Sequence, residues 1–146
     1  VKGPAPIRVS AGVLVDEAGR ALVVRKRGAR VFQQPGGKPD PGESALEALL
    51  REVREEVGVR LDPAAVEPLG TFEDAAANEP GHRVVGDAFR ARVRHGDVRI
   101  GAEIEEARWI TADDVDATPL ANLSRNHLIR LAFDATSTGD RQDAGG

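Results

Sequence analysis

The chain has 146 residues, 40% hydrophobic and 30% charged, which is the balance of one globular domain with its own core and no comfortable room for a second. A net charge of −4, with basic residues scattered among acidic ones, argues against polymeric nucleic acid as a partner, and no apolar run approaches the roughly 18 residues of a membrane span. The absence of Cys excludes disulfides and thiolate metal sites, and with five Phe or Trp residues in all, the core must be built from Val, Leu, Ile and Ala.

Residues 1–10 lack the charged start and apolar stretch of a signal peptide, so a cytoplasmic location is expected. Val9, Ala11, Val13 and Val15 share one parity within a largely apolar run, and "ALVVRKR" (21–27) follows, which predicts two strands joined at "DEAGR" (16–20). Alternation points Arg25 and Arg27 to one side at the end of the second strand, either to clamp a phosphate or to decorate an edge. "GARVFQQPGG" (28–37) holds three Gly and a Pro and reads as a loop with a short extended piece at 32–34. A helix is predicted over 44–57. Beyond it, "EPLGTFED" (67–74) and "HRVVGDAFRARV" (82–93) read as strands around the polar loop "AAANEPG", and "ARWI" (107–110) as a short strand. Thr111 is the expected N-cap of a brief helix reaching Val115, and 124–135 a last helix with Leu128, Leu131 and Ala135 on one face. Strands mixed with few helices predict an α/β fold, a mixed sheet with helices on its faces, over a domain spanning 1–135. The polar tail 136–146 is expected to be disordered. There is no internal repeat.

The helix carries the chemistry. On a wheel, Leu46, Leu49, Leu50, Val53 and Val57 fall in one sector of about 100°, and Glu52, Glu55 and Glu56 crowd a neighbouring one. Carboxylates near a helix C-terminus are opposed by the macrodipole by roughly 0.3–1 kcal/mol each, and their i,i+3 and i,i+4 spacings add mutual repulsion. Read as a solvated face, Arg51 and Glu55 make an i,i+4 pair, but Glu52 and Glu56 have no basic i±4 partner before the helix-stopping Gly58. A bound cation removes both objections. Carboxylate oxygens suit Mg²⁺, Mn²⁺ or Ca²⁺, and a main-chain carbonyl at Gly36 or Gly37 is placed to complete the shell. Zinc is not expected, since His82, His95 and His127 are scattered without ligand spacing.

The stretch "GKPDPGESALEALLREVREEVGV" (37–59) resembles the Nudix box: Gly, five residues, Glu, seven residues, Arg-Glu, an aliphatic, any residue, Glu-Glu, any residue, Gly, an aliphatic. Gly37, Glu43, Arg51, Glu52, Val53, Glu55, Glu56, Gly58 and Val59 meet all nine defined positions. A weaker similarity of element order extends over 7–135. The resemblance implies the Nudix fold, a mixed sheet sandwiched between helices, and hydrolysis of a nucleoside diphosphate linked to another group, with Mg²⁺ as cofactor and Mn²⁺ as substitute. It implies that Glu52, Glu55 and Glu56 bind metal with the Gly36 or Gly37 carbonyl, that Arg51 orients them, and that Glu43 acts through water or braces the loop. The general base it implies is Glu52 or an acid on a late loop, where Glu103 falls, with Glu105 and Glu106 as rivals.

Secondary marks of other Nudix branches are missing. Asp74 stands near the proline position of ADP-ribose hydrolases, there is no Tyr for the dinucleoside polyphosphate branch, and the aromatic motif of the NADH group is absent. Exclusion leans towards a MutT-like enzyme that converts a (d)NTP, sometimes oxidised, to the monophosphate and pyrophosphate. In that branch an amide before the last helix reads the purine; Asn122 and Asn126 are the candidates, and Phe32 either stacks on the base or packs beneath its loop. The competing readings are an ADP-ribose or nucleotide-sugar pyrophosphatase, an RNA-decapping enzyme, and a nucleotide-sensing Nudix module without catalysis. The expected partner is a small nucleotide, with neither nucleic acid polymer nor membrane; the oligomeric state is left open, a homodimer being compatible with the sequence.

Overall fold

The computed structural model describes residues 4–77 and 79–133. The expected tail and Ala135 lie outside them. Strands β1 (Ile7–Val15), β2 (Ala21–Lys26), β3 (Gly36–Gly37), β4 (Glu67–Ala75), β5 (Arg83–Arg92) and β6 (Ile104–Ile110) form one sheet in the order β4-β5-β1-β2-β6, with β3 also paired to β1. The β1·β5 pair is parallel and the other pairs are antiparallel, so the sheet is mixed, as expected. Helix α1 (Ala45–Val57) covers one face and helix α2 (122–133) the other.

Side-chain parity explains the three layers. Ala11, Val13, Val15, Ala21 and Val23 join Leu123, Leu128, Ile129 and Ala132 in a core under α2, whereas Leu14, Leu22 and Val24 join Leu49, Val53 and Val57 under α1. The central strands are therefore apolar at successive positions because both of their faces are covered. Burying each of the α1 side chains Leu49, Val53 and Val57 contributes roughly 1.5–3 kcal/mol.

Helix α1 is delimited by its own sequence. Glu47 N donates to Ser44 Oγ at 3.0 Å and Ser44 N to Glu47 Oε1 at 2.8 Å, a reciprocal cap that satisfies two orphan amides. At the other end Gly58 turns left-handed, with φ 71°, and its N–H returns to the Arg54 carbonyl. The Thr111 cap exists too: its N–H and hydroxyl both donate to Asp114, heading a 3₁₀ turn, Ala112–Asp114. The extended piece at 32–34 survives as single bridges, Val24 to Gln33 and Phe32 to Leu120. In α2 the segment Ser124–Leu128 is π-wound.

Candidate active site

Strand β3 is two glycines long because it is squeezed between β1 and α1. Gly36 has φ 153°, and a Cβ there would collide with the Ser10 carbonyl; a Cβ on Gly37 would collide with the Glu52 carboxylate. Glu52 thus reaches Gly37 across the gap from α1. One turn later Glu56 accepts the Gly36 N–H at 3.2 Å and faces Lys26 Nζ at 3.8 Å. Only 6% of the Glu56 side chain is exposed, against 58% for Glu55, so two of the three acids turn inwards and the third turns out.

Burial above all, helped by the charge of Glu52 and a hydrogen bond with it, pushes the Glu56 carboxyl up to about 8 against the lowering pull of Lys26 and the Gly36 N–H. The adjacent Glu52 and Glu56 carboxyls form a hard-oxygen pair that suits a divalent cation, and the glycines clear the space beside it. The donor set fits the metal that the box implies. Among the described residues, however, no three acidic or His side chains are already gathered into a cluster, because Glu55 is held by Arg51 at 3.2 Å.

Arg51 organises the box. Its Nε and Nη2 grip both oxygens of Glu43 at 2.7 and 2.9 Å, Nη1 reaches Glu52 at 3.1 Å, and Nη2 also donates to the Lys38 carbonyl. Glu43, which also accepts the Asp40 N–H at 2.8 Å, is lowered to about 2, first by Arg51 and then by that amide. It braces the loop ahead of α1.

Glu52 and the two glycines open onto a cavity of about 370 Å³. Lys26, Lys38, Glu52 and the two glycines line one end, and Val9, Ala11, Val84, Leu123 and Leu128 line much of the rest, with Gln34, Asn122 and Ser124 among them. Other expected residues fall elsewhere. Arg25 and Arg27 are not on the cavity wall: Arg25 donates to the Ala29 carbonyl and faces Glu106, and Arg27 binds the Ala102 carbonyl and Glu105. The basic group that faces the acids is Lys26, of opposite parity, on the α1 side with Leu22 and Val24. Stacking by Phe32 is corrected, since its ring is 1% exposed in the core, with the Arg108 guanidinium 4.5 Å from its centroid; it packs beneath the loop. Asn122 lines the cavity and donates to the Ala75 carbonyl, whereas Asn126 is outside it, bound to Asp74. Glu103 is exposed on the turn before β6 and off the cavity wall, and Glu105 and Glu106 are paired with Arg27 and Arg108. The alternation of β2 sets Lys26 opposite Arg25 and Arg27 but does not say which side meets α1, and Gln34 and Ser124 meet across 90 residues and carried no local signal.

The NUDIX domain family description matches residues 6–131, and the chain belongs to that family. It is a hydrolase of pyrophosphate bonds in nucleoside diphosphate derivatives, in a family that generally uses divalent metals. It is 30% identical over 121 residues to the MutT-like protein of Streptomyces ambofaciens, covering 83% of this chain and 71% of that one. Identity is also 30% over 106 residues with nucleoside triphosphatase NudI of Enterobacter sp. (67% and 70% covered), and 27% over 124 residues with ADP-ribose pyrophosphatase of Methanocaldococcus jannaschii (83% and 64%). The crystal structure of the MutT protein from Methanosarcina mazei shares the fold, with a TM-score of 0.74 at 23% identity over 92% of this chain and 98% of that one. No helix among the described residues is long and apolar enough to cross a membrane.

Proposed function

We propose that the protein converts a (d)NTP, oxidised bases included, to the nucleoside monophosphate and pyrophosphate, with Mg²⁺ as cofactor and Mn²⁺ as substitute. The observation that carries this reading is one cavity that joins Glu52, backed by the buried Glu56, and two lysines to an apolar stretch of wall. Similarity to the MutT-like protein and to a nucleoside triphosphatase supports it, as does the lack of Tyr and of the other branches' marks. A cytoplasmic location and a small-molecule substrate belong to the same reading.

Glu52, Glu55 and Glu56, with a carbonyl of Gly36 or Gly37, would hold the metal, which when bound neutralises phosphate charge and lets Glu56 ionise. Lys26 and Lys38 attract the polyphosphate and offset the charge it gathers. Arg51 fixes the Glu52 carboxylate, which takes the proton of the attacking water; Glu103 stands too far out on its turn to line the same cavity. Glu43 keeps Arg51 in place.

The test is a panel of (d)NTPs, 8-oxo-dGTP, ADP-ribose, nucleotide sugars, dinucleoside polyphosphates and 5′-triphosphate RNA at fixed Mg²⁺. The highest kcat/KM should fall on a nucleoside triphosphate. If ADP-ribose, a nucleotide sugar or RNA leads by tenfold or more, the triphosphate reading is wrong; no turnover of any member would favour a sensor.

A further inference from the structure

A buried polar pair interrupts the apolar end of the cavity. Gln34 is 4% exposed and Ser124 2%, and both share its wall with Val9, Ala11, Leu123 and Leu128. The chain on either side of Gln34 is pinned: Gln33 pairs both ways with Val24, and the Pro35 carbonyl accepts from Gly12 N. Ser124 opens the π-wound stretch of α2, a departure from regular helix that is frequent at functional sites. Its hydroxyl donates to Gln34 Oε1 at 2.5 Å.

That bond fixes the amide. With its oxygen engaged, Gln34 has two N–H donors left, which bond no protein group among the described residues, and its nitrogen is not an enclosed atom, so it opens to the cavity. The two asparagines differ, since Asn122 and Asn126 each already donate through Nδ2 to the β4 segment. A nearly buried donor that faces a cavity without a protein acceptor is free to bond a ligand's acceptor there.

We infer that Gln34, oriented by Ser124, reads the nucleobase and favours bases with a carbonyl acceptor on the purine edge, guanine and hypoxanthine, over adenine. Guanine and hypoxanthine offer O6 beside N7, two acceptors, whereas adenine places an amino donor where O6 would be, leaving two donors face to face. Gln34 contacts the base, and Ser124 is a positioning residue. The inference rests on the proposed nucleotide substrate and adds the class of base.

Binding of GMP, IMP and AMP is measured by calorimetry on the parent, Gln34→Leu, Gln34→Glu and Ser124→Ala, alongside kcat/KM for GTP, ITP and ATP. The parent should prefer GMP and IMP to AMP by about tenfold. Gln34→Leu and Ser124→Ala should bring the ratio close to one, and Gln34→Glu, which presents acceptors, should reverse it. Each ratio is taken within one variant, so loss of folded protein cancels. A parent ratio near one, or a parental ratio kept in both Gln34→Leu and Ser124→Ala, overturns the inference. Monophosphate preference without triphosphate turnover would overturn the triphosphate reading alone and uphold the base preference.

Discussion

Glu56 is the residue at which folding and function conflict. Its carboxyl, ordinarily near 4.5, is raised to about 8 by burial beside Glu52. Between those values the folded metal-free protein keeps a proton that the unfolded chain has released, so this group's contribution to stability is full at low pH and is lost as pH rises from about 4.5 through 8. Metal-free parent should therefore lose melting temperature relative to Glu56→Gln as pH rises from 5 to 8.5, and Mg²⁺ should restore it in the parent only. A constant difference between the two proteins across that range would show that Glu56 carries no such burden. The general base is likewise tested at single residues. Glu52→Gln is expected to lower kcat by about 10²–10⁴ and Glu103→Gln by much less; the reverse ranking in side-by-side kinetics would move the base to the late turn.

At the scale of elements, α1 is held at both ends by local sequence, and its last two turns are asked to do the chemistry. Ser44→Ala removes one half of the reciprocal cap while leaving the glutamates in place. It should cost about 1 kcal/mol, a few degrees of melting temperature, with kcat at 25 °C within about twofold of the parent. A large loss of kcat without a loss of stability would mean that the cap positions the site more directly. The helix was readable because its apolar and acidic sectors, its cap and its terminal glycine are all local patterns. Strands β1 and β2 were readable for the same reason, through parity. The short β3 was not, because two glycines have no periodicity and their strand state comes from pairing with Ser10 and Ala11. Choosing Arg25 and Arg27 over Lys26 was a question of which face of β2 meets α1, and that is a property of the sheet. Phe32 had two open readings, and the core under α2 chose packing.

In the whole molecule, the mixed sheet has to be covered on both faces, and the cavity forms where the two coverings leave β1 and the glycine loop open between them. Glu52 arrives from α1, a lysine from β2, and the apolar wall from β1, β5 and α2. No single element contains the site, which is why the box alone revealed its metal end and not its base end. On the proposed reading, the inward-facing pair Glu52 and Glu56 holds the divalent cation on which phosphoanhydride hydrolysis depends. Its most direct test is Mn²⁺ binding, followed by electron paramagnetic resonance, in the parent and Glu56→Gln, with GTP hydrolysis recorded on the same samples before and after chelator. Mn²⁺ binding should be saturable and at least tenfold weaker in Glu56→Gln, and turnover should vanish in chelator and return with Mg²⁺. Turnover undiminished by chelator, or Mn²⁺ affinity equal in the two proteins, would contradict it.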